Sequence, residues 1–101
     1  MATHVVKIEI RGEEFWYSNP CVHVQGGDTI KWKLANPLPY GIVIKAPVSP
    51  LKWRFKAARK NLWITGIVRA TAHPGHYFYG VGAVSGQDIL FDDPEIIVEQ
   101  P

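Results

Sequence analysis

The sequence predicts an all-β protein, an antiparallel Greek-key β-sandwich of roughly seven or eight strands with one short helix near residues 50 to 60. Three observations carry that expectation. Hydrophobic and polar residues alternate over short segments, the pattern of a strand with one buried face. Clusters of Gly, Pro, Asn and Asp separate those segments. The 101 residues, 47% hydrophobic and 20% charged, have the size and balance of a single globular domain spanning 1 to 101.

Taken in order, His4 to Ile10 alternates so that Val6, Ile8 and Ile10 face inward, and Gly12 breaks the run. Phe15-Trp16-Tyr17 is an aromatic segment ended by Ser18-Asn19-Pro20. Cys21 to Val24 is a short strand with Cys21 and His23 on one face and Val22 and Val24 on the other. Gly26-Gly27-Asp28 is a turn, and Thr29 to Leu34 directs Ile30, Trp32 and Leu34 inward. The apolar strand Gly41 to Ile44 follows a loop containing Pro37 and Pro39.

Alternation fails between residues 46 and 61. Ser49-Pro50 has the form of a helix start, with Ser as cap and Pro at the first helical position. Leu51, Phe55, Ala58 and Leu62 then recur at helical period, which predicts a short amphipathic helix packed by that stripe. Residues 62 to 72 return to strand, with Gly66 marking a bulge or a close backbone approach. Pro74-Gly75 is a turn leading into an aromatic strand, His76 to Val84, in which His76, Phe78 and Gly80 share one face and Tyr77, Tyr79 and Val81 the other. Ser85 to Pro94 reads as a loop, and Glu95 to Glu99 as the last strand. The expected core includes Val6, Ile8, Ile30, Trp32, Ile42, Ile44, Ile67, Tyr77, Tyr79 and Ile97, with Cys21 as a small buried hydrophobe.

Two segments resemble the plastocyanin-like cupredoxins. Gly27-Asp28-Thr29-Ile30-Lys31-Trp32, followed by Asn36-Pro37 and an apolar strand, is similar to the stretch that leads to the first copper-ligand histidine. Pro74-Gly75-His76-Tyr77-Phe78-Tyr79 is similar to the strand before the ligand loop, where a Cys-x-x-His pattern carries copper. The positions matching the ligands hold Tyr40, Val81 and Val84. A type 1 copper site needs two imidazoles and a thiolate, so the resemblance implies a copper-free member with no cofactor. It also implies that apolar packing fills the vacated region, with the Tyr40 hydroxyl toward solvent.

Other chemistry is sparse. His73 and His76 flank a tight turn, and with Cys21 or His23 they are the candidate ligands of an alternative metal-binding or metal-handling reading for copper or zinc. The plain reading leaves both histidines as exposed turn residues. Asp92-Asp93 pairs carboxylates but precedes Pro94 and reads as a solvated turn. Phosphate-cradling loops, nucleophile elbows and dinucleotide fingerprints are missing, so no enzyme is expected. Cys21 is the only cysteine, which excludes an internal disulfide. No apolar run approaches the ~20 residues of a membrane span, and Met1-Ala2-Thr3-His4 opens no export signal, so a soluble, cytoplasmic protein is expected.

Charge is unevenly placed. All nine acids lie in 9 to 28 or 88 to 99, while the stretch from Thr29 to Gln87 holds nine Lys and Arg and no acid. Either the ends fold over the middle and neutralise it, or a basic face meets an anionic partner. Lys52, Trp53, Arg54, Lys56, Arg59 and Lys60 interleave bases with an aromatic and are the candidate contact residues. The expected partner is a protein with an acidic face, where Trp and Arg dominate binding energy. Nucleic acid is a weaker fit, because Phe55 belongs to the core stripe and leaves only Trp53 to stack. An open sheet edge would equally support a homodimer.

Overall fold

The computed structural model describes residues 1 to 100 and contains ten strands and no helix among them. They are β1 (Thr3–Arg11), β2 (Glu14–Tyr17), β3 (Cys21–Val24), β4 (Thr29–Leu34), β5 (Tyr40–Ile44), β6 (Phe55–Ala58), β7 (Ile64–Ile67), β8 (Gly75–Ser85), β9 (Asp88–Asp92) and β10 (Glu95–Val98). One sheet runs β2-β1-β4-β7; the other runs β3-β10-β8-β5-β6, with β9 added beside β8. The sheets are mixed, not purely antiparallel. β1 pairs parallel with β4, and β3 parallel with β10, because the chain crosses to the other sheet between the members of each pair. Alternation is the same for either direction, so the sequence carries no mark of it.

The inner faces meet in one core. Val6, Ile8 and Ile10, Ile30, Trp32 and Leu34, Ile42 and Ile44, and Tyr79 are buried as expected. Trp32 is fully buried at the centre, its indole N–H donating to the Tyr79 hydroxyl at 3.1 Å and its ring meeting Tyr79 and Trp53 edge-on. Gly66 is the expected close approach. A Cβ there would come 3.1 Å from side-chain atoms of both Leu51 and Trp53 and 3.2 Å from Trp32.

Four expected core residues sit elsewhere. In β10, Ile96 and Val98 point inward and Ile97 is half-buried on the outer face; both phases of Glu95-Ile96-Ile97-Val98 offer an apolar residue to the core. In β7 the inward positions are Ile64 and Gly66, and Ile67 is 40% exposed while Val68 takes the core site. Tyr77 is half-buried at the core margin. Cys21 is exposed, since its neighbours Val22 and Val24 take the inner face.

The expected helix is replaced by a crossing segment and strand β6. The Ser49 hydroxyl accepts from the Leu51 amide at 3.1 Å and donates to the Trp53 carbonyl at 2.8 Å, so the residue that resembles a helix cap closes a turn. The backbone then bonds to another part of the chain: Lys52 N–H donates to the Ile67 carbonyl at 3.0 Å, and Arg69 N–H to the Pro50 carbonyl at 2.8 Å. Phe55 to Ala58 complete the open side of β5. Leu51 stays in the core, but Phe55 turns out to solvent at 72% exposure and Trp53 packs inward instead. Likewise, most of the expected 85 to 94 loop is the hairpin strand β9, turned through Gly86 at φ 63°.

Candidate interaction surface

Tyr40 opens β5 and is 3% exposed. Its hydroxyl is turned inward, not toward solvent, 2.6 Å from the Leu62 carbonyl and 3.1 Å from the Trp32 carbonyl, to which its single proton can be donated. Burial pushes this phenol up to about 12. Val81 is fully buried opposite Ile42. Val84 lies three residues along the same unbroken strand, faces outward and pairs with Ile89 of the β9 hairpin. The positions that match copper ligands therefore hold a phenol and two alkyl groups, two of them on opposite faces of a sheet. They do not fit a copper ion, which takes nitrogen and sulfur donors converging on one point.

The four other candidate ligands do not converge either. His23 and His76 both flank Ile97, one on each neighbouring strand, which separates them by two strand spacings, about 10 Å. His23 Nδ1 lies 2.6 Å from Glu99 Oε1, and His76 Nδ1 lies 3.0 Å from Glu95 Oε2, so each imidazole is held by its own carboxylate. Cys21 stands two strands from Phe78, and His73 lies before β8, its carbonyl accepting from the Tyr77 hydroxyl at 2.6 Å. Among the described residues no group of three or more His, Cys, Asp or Glu is placed to hold a metal.

The basic candidates divide into two kinds. Arg54 is a clasp: its guanidinium donates to the carbonyls of Ile44 at 3.3 Å, Ala46 at 2.9 Å and Pro47 at 2.7 Å. Trp53 is also structural, half-buried against Trp32, with its indole N–H donating to the Thr65 carbonyl at 3.0 Å. Lys52, Lys56, Arg59 and Lys60 are exposed and take part in no ion pair among the described residues. Between the basic middle and the acidic ends, the single lysine or arginine pair is Lys45 with Asp93. The ends therefore leave most of the middle uncovered.

Lys56 and its neighbours lie on an edge. β6 is the last strand of its sheet, and nothing pairs its outer side. Ile44 N–H donates to the Arg54 carbonyl at 2.8 Å, which sets the alternation and directs the amides and carbonyls of Phe55 and Ala57 away from β5. Beside it, Gly41, Val43, Ala57, Gly82, Phe55 and Phe91 line an open apolar groove of about 280 Å³.

Two groups of residues carried no signal in the sequence. Lys31 and Lys33 place their ammonium groups 5.2 and 5.3 Å from the centre of the Trp63 ring, an arrangement made only when β4 and β7 pair. Asp28, read as a turn residue, is buried, accepting from the Ala2 and Gln25 amides at 3.0 Å each and lying 2.8 Å from His4 Nε2. The Ala2 amide foremost, with the Gln25 amide and His4, holds its carboxyl down to about 2.

No protein-family model matches the chain, and no curated protein does. Solved structures do. A purple cupredoxin from Nitrosopumilus maritimus superposes at a TM-score of 0.66 with 11% identity, over 95% of this chain and 99% of that one. A reduced, Cu(I) form of an amicyanin variant gives 0.60 with 18% identity, over 94% of this chain and 82% of that one. At such identities the likeness concerns architecture alone. The chain has the cupredoxin-like fold.

Proposed function

We propose that the protein is a non-catalytic interaction module without a type 1 copper site, and that it binds a protein segment of acidic character along the β6 edge. The observation that carries this reading is the run of uncompensated cations, Lys52, Lys56, Arg59 and Lys60, around a strand whose outer backbone groups are unpaired. An extended partner strand would gain main-chain hydrogen bonds there, and the flanking cations would select acidic side chains. Basic residues on both copies disfavour pairing of β6 with itself, which argues for a different chain as occupant.

The test is binding of a synthetic peptide alternating Glu and Val, followed by fluorescence anisotropy. Lys56→Glu combined with Arg59→Glu should abolish binding and leave the thermal midpoint unchanged, since neither side chain is buried or bonded. Arg54 is unsuitable for this purpose because its removal would free three carbonyls. Wild-type protein that fails to bind the peptide, or a charge-reversed variant that binds it equally, would overturn the proposal.

A further inference from the structure

The outer face of the other sheet carries an arrangement that folding alone does not favour. Lys7 of β1 stands directly beside Lys33 of β4 in the parallel register, and Lys31 lies one position along the same face. Like charges opposite one another on adjacent strands repel, and natural sheets more often oppose them with an acid. Here none of the three lysines takes part in an ion pair among the described residues. Lys31 and Lys33 instead converge on the Trp63 ring.

Between them lies a cleft of about 300 Å³ lined by Lys7, Lys33, Ala35, Asn61 and Trp63. Asn61 is the one non-glycine among the described residues with positive φ, 65°. That left-handed backbone costs free energy for most side chains and is tolerated best by Asn and Asp. The cleft thus brings together two ammonium groups, an amide side chain on a strained turn and an indole wall, with no carboxylate among its lining residues.

We propose that this cleft binds a phosphate group. A tetrahedral dianion sitting between Lys7 and Lys33 converts their mutual repulsion into two charge-assisted contacts, and the Asn61 amide adds a neutral donor. The site is separate from the β6 edge and shares no residue with the cations assigned to the acidic partner. The phosphate could belong to a monoester or to a phosphodiester chain, and the shared chemistry is the same.

The experiment measures the thermal midpoint of the whole protein in inorganic phosphate and in chloride at matched ionic strength. Wild type should show a saturable rise with phosphate that chloride does not reproduce. Lys33→Gln should raise the midpoint in phosphate-free, low-salt buffer, because it relieves the repulsion, and should lose the phosphate response. Lys7→Gln should behave in the same way. The backbone and indole amide resonances of Asn61 and Trp63 should shift on phosphate addition in wild type alone. Repeating the titration with ribose 5-phosphate and with a short oligothymidylate separates monoester from phosphodiester, and a Lys33-dependent response to either supports the site. Identical responses to phosphate and chloride, or a phosphate response that survives in Lys33→Gln, would overturn it, whatever the acidic peptide does at β6.

Discussion

Replacing Tyr40 by Phe tests the reading that this residue secures the region where the cupredoxin-like resemblance places a metal ligand. Its ring is buried at the start of β5, and its hydroxyl reaches the carbonyls of Leu62, just before β7, and Trp32, in β4. The hydroxyl therefore ties one sheet to the other. Tyr40→Phe keeps the packing and deletes one buried hydrogen bond, leaving a carbonyl without that donor. A net loss of about 1 to 2 kcal/mol is expected from such a deletion. In a domain of about 100 residues that lowers the thermal midpoint by about 4 to 15 °C. Alkaline titration supplies a second readout. The folded-state pKa is raised from 10.0 to about 12 by burial, so the native state holds its proton longer than the unfolded chain. That contribution is fully present below pH 10 and is lost as pH rises toward 12. Tyr17 and Tyr79 are shifted upward too, chiefly by burial, and steepen the same alkaline fall. Chemical denaturation at pH 7 and across pH 9 to 12 measures both effects. A variant within about 0.3 kcal/mol of wild type at pH 7, with an unchanged alkaline limb, would refute the bridging role of the hydroxyl.

Two further predictions address the acid limb and the segment read as helix from sequence. Asp28 has a carboxyl held below its ordinary 3.8, at about 2, so its contribution is present above pH 3.8 and lost as pH falls through 2. Asp28→Asn should cost about 1 to 2 kcal/mol at pH 7 and flatten the wild-type decline between pH 4 and pH 2, as measured by urea midpoints. Phe55→Ser should change stability by less than about 0.5 kcal/mol, because the ring is exposed, whereas Trp53→Ala should cost about 2 to 4 kcal/mol through lost contact with Trp32. A helix with Phe55 in its buried stripe requires the opposite order.

The paired strands of the first third of the chain were legible because each has only one apolar face. In Thr29 to Leu34, Ile30, Trp32 and Leu34 are the apolar positions at period two, and the structure buries those three. Where both faces offer apolar residues, the sequence leaves the phase open. Glu95 to Val98 is such a case, and Ile96 with Val98 won over Ile97 because β10 takes its register from β3 and β8. Residues 49 to 58 are ambiguous for a related reason. Ser49 serves equally as a helix cap or a turn hydroxyl, and an apolar residue every three or four positions does not reveal that β5 has an open side to be paired.

The sequence by itself determined the all-β class, the position of most strands, the buried tryptophan and the replacement of copper-binding residue types by Tyr40, Val81 and Val84. These follow from local alternation, turn chemistry and residue identity, which need no partner to be read. The tertiary structure alone decided strand direction and register, and with them everything that depends on neighbours distant in sequence. Lys7 meets Lys33 and Trp63 meets two lysines only because β1, β4 and β7 pair as they do. Val81 and Val84 part to opposite faces because β8 continues unbroken into a hairpin. Arg54 becomes a clasp and Lys56 a free cation because the edge strand sets which side chains reach back to the protein and which reach water.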